Sequence, residues 1–177
     1  MPDGSVRGVS RRIEHSSEYP FSVADVHSAL TSEQYWRDRL AEVGGHDARL
    51  VRFEESADGG VTVEMTQAIP EAQLPPMVTA VKPGDMIIRR TEEWSAVQGG
   101  AASGTFSAEV DGAPAGAHGT QTLAAAGSGS TVTLDAHAEV RIPLIGGRIE
   151  AAVADRILEL VEGETTFTIE WIGRNAG

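Results

Sequence analysis

Two periods of apolar and polar positions run along this chain, and the switch between them divides it. Over Pro143–Ile172 the apolar residues fall at Ile145, Ile149, Ala152, Val153, Ile157, Leu160, Phe167 and Trp171. This three-and-four spacing predicts one long amphipathic helix with a single buried stripe. About 27 residues at 1.5 Å each reach roughly 40 Å, enough to cross a small domain. Ahead of it the period is two. Thr131–Ile142 places Val132, Leu134, Ala136, Ala138, Val140 and Ile142 on one face, and Thr133, Asp135, His137, Glu139 and Arg141 on the other, as a strand with one buried face does.

Taken from the start, residues 1–10 read as a loose arm and Arg11–Tyr19 as a strand with Ile13, His15, Ser17 and Tyr19 on one face. Pro20 breaks it. Ser22 opens a first short helix over Val23–Leu30, and Thr31 is placed to cap a second over Ser32–Val43, which Gly44-Gly45 stops. Arg49–Ser56 and Val61–Ile69 form a hairpin about Asp58-Gly59-Gly60, with Val61, Val63, Met65, Gln67 and Ile69 inward. A Pro-rich loop follows, with a helical turn near Met77–Val81. Strands are then expected at Met86–Val97, Ser103–Val110 and His118–Ala125 before the one at Thr131–Ile142. Short turns between consecutive strands imply antiparallel neighbours. The apolar face of such a sheet needs a cover, and the terminal helix is the long candidate. We expect one α+β domain over 1–177, with a tail at 173–177.

Composition narrows the partners. The chain has 26 acidic against 14 basic residues, a formal net charge of −12. That lacks the basic face a nucleic-acid partner or an anionic membrane surface would need. Without cysteine, disulfides, thiolate metal sites and cysteine nucleophiles drop out. The five histidines, at 15, 27, 46, 118 and 137, have no metal-ligand spacing. No metal or cofactor is expected. No leader pattern or long apolar run occurs, so the cytoplasm is the expected location and no membrane insertion is expected. A homodimer is carried as an expectation about assembly.

The order of elements (strand, two short helices, about six strands in hairpin succession, one long helix) resembles the START-like or Bet v 1-like helix-grip fold of the SRPBCC superfamily. In that fold a curved antiparallel sheet, here of about seven strands, wraps a long C-terminal helix around a cavity. Several strings resemble an actinobacterial family, domain of unknown function 2505: Tyr35-Trp36, Gln67-x-Ile69-Pro70 with Leu74-Pro75, Glu93-Trp94, and Ile142-Pro143-Leu144-Ile145-Gly146-Gly147 leading into Ile149-Glu150. The resemblance implies a ligand class, because superfamily members bind lipids, sterols or polyketides and some cyclise or dehydrate aromatic polyketides. It assigns no residue a role.

A sheet gripping a helix predicts an interior lined by Met65, Gln67, Ile88, Arg90, Glu92, Trp94, Phe106, Gln121, Leu134, Ile149, Val153, Ile157, Leu160 and Glu164. The inward polar residues carry the information, because a buried polar group without a partner costs about 1–3 kcal/mol. Arg90 and Glu92 sit two apart on one strand face, where they either meet a ligand or pair with each other. A slip of one residue would turn Arg89, Thr91 and Glu93 inward instead. Glu164, four after Leu160 and three before Phe167, falls on the helix stripe. In apolar surroundings its pKa would rise and it would serve as a general acid or ligand anchor. The alternative is a helix kinked at Gly163, or a Glu164 paired with an arginine such as Arg90. His15 is a further acid–base candidate. Leu74, Met77, Val78 and Val81 in the Pro-rich loop are placed to gate the cavity or to cap the core.

Three functions fit this reading. The leading one is binding of a small hydrophobic ligand, lipid-like or polyketide-like, in the internal cavity. The second is a cyclase or dehydratase using Glu164, Arg90, Glu92 or His15. The third is a protein-interaction module with a solid interior.

Overall fold

The computed structural model describes residues 9–142 and 146–176. The chain runs β1 (Val9–Tyr19), α1 (Val23–Leu30), α2 (Glu33–Val43), β2 (His46–Glu55), β3 (Val61–Ile69), a 3-10 turn (Glu71–Gln73), α3 (Pro76–Val81), β4 (Met86–Trp94), β5 (Ala102–Val110), β6 (Ala115–Ala126), β7 (Gly129–Val140) and α4 (Gly146–Asn175). The seven strands form one sheet in the order β1-β7-β6-β5-β4-β3-β2, every neighbouring pair antiparallel. Strands β2 through β7 pair in succession, each with the next. β1 pairs with β7, so α1 and α2 carry the chain from one edge of the sheet to the other. With α4 laid over the inner face, this is the helix-grip fold that the element order predicts.

Local chemistry sets the boundaries. The Ser22 hydroxyl accepts from Asp25 N–H at 3.1 Å and starts α1. Ser32, not Thr31, caps α2, accepting from Tyr35 N–H at 3.5 Å. Thr31 instead donates to the His27 carbonyl at 2.9 Å, closing the end of α1. The β4–β5 turn has Gly99 and Gly100 at φ 61° and 78°, a pair of left-handed residues that tight hairpins require and glycine adopts without strain. β4 ends at Trp94, short of the expected Val97. β7 is shifted two residues earlier than expected and leaves Ile142 outside the strand.

α4 is unbroken through Gly163 and continues to Asn175, so the expected tail from 173 is helical as far as that residue. Thirty residues at 1.5 Å span about 45 Å. The expected stretch Pro143–Ile145 lies outside the described residues, as does most of the N-terminal arm, of which residues 9 and 10 already belong to β1. The buried stripe is rotated from the expected one. Ile149, Glu150, Ala154, Ile157, Glu164, Phe167, Thr168 and Ile172 are buried, while Ala152, Val153, Leu160 and Trp171 are only half-buried.

The core has two main bodies. One, at the α1–α2 end, gathers Trp36, Tyr35, Met65, Trp94, Leu123, Phe167 and Ile172. The other packs Ile13, Phe106, Leu134, Ala136 and Ala138 under Ala154 and Ile157. Small residues on β6 and β7 let α4 lie close. Each large aliphatic side chain buried this way contributes about 1.5–3 kcal/mol of transfer free energy. Val78 of α3 packs with Val140 and Ile149 as a third, smaller cluster.

Candidate functional site

Between the two core bodies the inner face turns polar. Arg90 and Glu92 of β4 point inward, 3% and 4% exposed. Their neighbour Arg89 faces solvent and pairs with Asp111. The register with Arg90 and Glu92 inside is therefore the one adopted. Glu164 reaches down from α4. The fourth member, which the expected set omits, is Arg39 of α2, also buried.

These four charges form a closed ring of contacts. Arg90 donates from Nη1 to Glu164 Oε1 at 2.6 Å and from Nη2 to Glu92 Oε1 at 2.9 Å. Arg39 Nη2 donates to Glu164 Oε2 and, at 3.3 Å, to Glu92 Oε1. Gln67 accepts from Arg90 Nη1 at 3.1 Å and donates to the Gly44 carbonyl at 2.9 Å. Gln121 donates to Glu92 Oε2 at 3.4 Å. Arg39 also lies over the Trp36 ring, 4.6 Å from its centroid, and Arg90 over Phe106 at 5.4 Å. Both placements favour a guanidinium over an aromatic face.

Two guanidinium groups against two carboxylates sum to zero, so the group is buried without net charge. Burial pushes the Glu164 carboxyl up. The charges of Arg39 and Arg90 and their hydrogen bonds outweigh it and bring the group down to about 2. Burial acts to lower Arg39, and the carboxylates of Glu164 and Glu92 more than offset it, holding Arg39 well above its ordinary value. The raised Glu164 pKa expected for an apolar setting is thus reversed, and the arginine-paired alternative is the arrangement present. At neutral pH Glu164 holds no proton to donate.

The helix segment around Glu164 is pinned by a second polar chain. Thr168 donates to the Glu164 carbonyl at 2.7 Å. Its hydroxyl oxygen is also 2.7 Å from Tyr35 Oη, so the Tyr35 O–H donates to Thr168. Tyr35 is edge-on to Trp36 and Trp171, both at 5.3 Å. At the β1 side Thr165 Oγ1 and Ser17 Oγ form a half-buried hydrogen bond of 2.8 Å.

A cavity of about 50 Å³ opens among these groups, room for little more than one or two water molecules. Of the expected lining residues, Arg90, Glu92, Trp94, Phe106, Gln121, Leu134 and Glu164 border it. Gln67 stands behind Arg90. Met65 is packed into the first core body and Ile157 into the second, Ile149 into the third cluster beside Val153, and Ile88 and Leu160 are half-buried away from the cavity. The rest of the wall comes from residues outside the expected set, chiefly Arg39, Tyr35, Ser17, Tyr19, Val161, Thr165 and Thr168. Tyr19 and Tyr35 are both held in the neutral phenol form, first by burial, Tyr19 with a pKa of about 12.

His15 is half-buried opposite Leu134 in the β1–β7 register and does not reach the cavity. The expected gate residues also lie elsewhere. Val78 is buried under α4 with Leu74 against it, while Met77 and Val81 face outward. Val78 and Leu74, not Met77 or Val81, cap that end of the core. Among the described residues, no group of three or more His, Asp or Glu side chains converges to hold a metal ion. No described helix is long and apolar enough to cross a membrane.

Arg39 is marked in the sequence by its spacing. It falls three after Trp36 and four after Tyr35, on the apolar stripe of α2. Glu150 of α4 carries the same kind of signal and is buried against Arg11 at 3.4 Å.

The model of the family described as protein of unknown function (DUF2505) matches residues 14–172. The uncharacterized protein Rv0481c of Mycobacterium tuberculosis is 34% identical over 171 residues, 93% of this chain and 98% of that one. Among solved structures, TTHA0849 from Thermus thermophilus superposes with a TM-score of 0.61 at 16% identity, over 94% of this chain and all of that one. The Zhui aromatase/cyclase from Streptomyces sp. R1128 does so with a TM-score of 0.58 at 9% identity, over 96% and 97%. At these identities the structural likeness establishes the fold.

Proposed function

The chain belongs to the DUF2505 family, and from that premise we propose that it binds a small molecule with an apolar body, lipid-like or polyketide-like, between the sheet and α4. The observation that carries this reading is the cavity itself. It lies where α1, α2, α4 and the inner face of β1 and β4–β7 meet, and its wall joins aromatic and aliphatic side chains (Trp94, Phe106, Leu134, Val161) to a few convergent polar ones (Arg39, Arg90, Gln121, Glu164). Small-molecule sites have this make-up, an apolar surround with a small number of placed polar groups. The likeness to an aromatase/cyclase supports the same ligand class.

The volume bears on how binding would occur. Ligand pockets for drug-sized molecules run to about 300–1,000 Å³, several times the space present, so uptake on this reading enlarges the cavity. The ion ring bears on catalysis. Arg90, Glu92 and Glu164 converge, as a cyclase or dehydratase would need, but with Arg39 they neutralise one another, and His15 stands apart. Glu164, its pKa held at about 2 by its two arginines, has no proton to give near neutrality and is a weak base for taking one, which favours binding over the cyclase or dehydratase alternative.

The test is native mass spectrometry of the purified chain incubated with fatty acids, sterols and aromatic polyketides. The expected result is a stoichiometric adduct with at least one class, accompanied by a raised melting temperature. No uptake of any class, with the melting temperature unmoved, would overturn the proposal and leave the interaction-module reading.

A further inference from the structure

Arg90 Nε and the indole Nε1 of Trp94 are buried donors with no hydrogen-bond partner among the described residues. Both residues are 3% exposed and both border the cavity, but the two nitrogens themselves touch no open space, so a ligand meets them only as the cavity enlarges. They lie on one face of β4, on either side of Glu92. Two other buried polar atoms, Ser130 Oγ and Glu150 Oε2, also lack a partner, but neither residue borders the cavity. The fully buried unmet groups of the cavity wall are thus both donors. Every acceptor oxygen of Glu92 and Glu164 already has a donor.

Charge restricts the complement. The four ions balance, so a carboxylate brought into the cavity would add an uncompensated buried negative charge beside Glu92 and Glu164. An ammonium would add a positive charge beside Arg39 and Arg90 and would offer donors where donors are already in excess. Burying either unpaired charge is costly, whereas a neutral acceptor adds none of that penalty.

We infer that the interior selects an uncharged ligand bearing a carbonyl-type acceptor oxygen, received by the N–H groups of Arg90 and Trp94, and that it discriminates against carboxylates and ammonium ions. This inference rests on the ligand-binding reading above and specifies its chemistry. It ranks ketones and quinones above fatty acids among the candidate classes.

The test uses four compounds built on one five-membered ring with the intact chain: cyclopentanone, cyclopentane, cyclopentanecarboxylate and cyclopentylammonium. Binding is followed by the indole N–H resonances in nitrogen-15 correlation spectra. The other two indoles already donate, Trp36 to the Leu30 carbonyl at 2.8 Å and Trp171 to Asp38 Oδ2 at 2.8 Å. Trp94 alone should therefore move downfield with the ketone and not with the hydrocarbon. The ketone should bind about tenfold tighter than the hydrocarbon, the worth of one or two hydrogen bonds, and both ions should bind more weakly than either. Trp94→Phe should reduce the ketone-to-cyclopentane affinity ratio several-fold, a ratio that cancels what the smaller ring does to the cavity itself. A carboxylate that binds as tightly as the ketone would overturn the inference. So would cyclopentane binding without a ketone preference, although that leaves the ligand-binding reading intact. If no probe binds and the indole resonance of Trp94 stays fixed, the donors serve water alone, and the inference falls together with small-ring occupancy of the cavity. Should Trp94→Phe fail to fold, the wild-type resonance still decides.

Discussion

Removing one charge from a balanced buried group should cost far more than removing a matched pair. Arg39→Met deletes a guanidinium that contacts both Glu92 and Glu164, leaving two carboxylates with Arg90 as their only cation. Breaking a buried pair from one side typically costs about 3–5 kcal/mol, because the remaining charge stays desolvated without its partner. Arg39 also gives up its place over the Trp36 ring, which methionine only partly refills. Glu164→Gln leaves Arg39, Arg90 and Glu92, one positive charge in excess, with a cost of similar size. The double substitution restores neutrality and keeps the 2.9 Å Arg90–Glu92 pair, so it should be less destabilising than the sum of the singles by about 2–3 kcal/mol, near the top of the usual range for directly contacting residues. Equilibrium unfolding in urea at pH 7 measures all four corners of the cycle, with a constant denaturant slope as the check that folding stays two-state. Because the pair is buried, the coupling should persist at high salt, unlike that of the exposed Arg12–Asp135 pair. Single substitutions that add to within about 0.5 kcal/mol, the scatter expected for independent sites, would refute the claim that these residues act as one unit.

Three further outcomes follow from the same structure. The Glu164 carboxyl lies at about 2 in the folded chain against 4.5 when unperturbed. Its stabilising contribution is therefore fully present above pH 4.5 and is lost as the pH falls from there through 2, on the order of 3 kcal/mol in total. Glu164→Gln should flatten this part of the stability–pH curve measured by denaturant titration, and an unchanged slope would place the acid sensitivity elsewhere. Thr168→Val should destabilise more than Tyr35→Phe in thermal unfolding, because the first strands a buried Tyr35 hydroxyl at about 1–3 kcal/mol and the second removes donor and demand together. Val78→Glu should cost about 3 kcal/mol or more, the penalty of an unpaired buried charge, since Val78 is packed against Val140 and Ile149. Met77→Glu, on the exposed side of α3, should stay within about 0.5 kcal/mol. A change of oligomeric state with Met77→Glu, seen by size-exclusion light scattering, would instead assign that apolar edge to a partner.

The period of the hydrophobic pattern carries most of the fold, because strands and helices bury one face and the face sets the repeat. It is least informative where two solutions share a repeat. The stripe of α4 is one such case. Choosing Ile145 and Ala152 as its centre gives a face rotated from the real one, which runs through Glu150, Ala154, Ile157, Val161, Glu164 and Thr168. Two glutamates on that line look wrong in a hydrophobic pattern, and they become intelligible once Arg11, Arg39 and Arg90 are brought against them. The site is half legible for the same reason. Arg90, Glu92 and Glu164 stand out as charges at inward positions, and their mutual pairing is one of two readings open to the sequence. Arg39 is hidden because an arginine in an exposed-looking amphipathic helix excites no suspicion, although its spacing from Tyr35 and Trp36 places it inward. Cavity volume cannot be read at all. Whether Phe106, Leu134 and Val161 meet or leave a gap depends on strand curvature and rotamers that the pattern does not encode.

The ion ring also constrains how the interior could open. Replacing such a buried group by well-packed apolar residues is often neutral or stabilising, so stability alone does not account for its presence here. What it does mechanically is tie three elements together at one point: Arg39 from α2, Arg90 and Glu92 from β4, and Glu164 from α4. Separating α4 from β4 would expose four half-paired ions to a narrow, poorly hydrated gap, so that side of the cavity is the stiff one. The β1 side is held differently. There Val161 and Thr165 are half-buried, and the polar links are the 2.8 Å contact between Thr165 and Ser17 at the middle of α4, a neutral hydrogen bond whose net worth is about 1 kcal/mol, and the Arg11–Glu150 ion pair near the helix start. On the ligand-binding reading, the middle of α4 therefore parts from β1 more easily than from β4, with the ion ring as the fixed side and the Arg11–Glu150 pair holding the helix start.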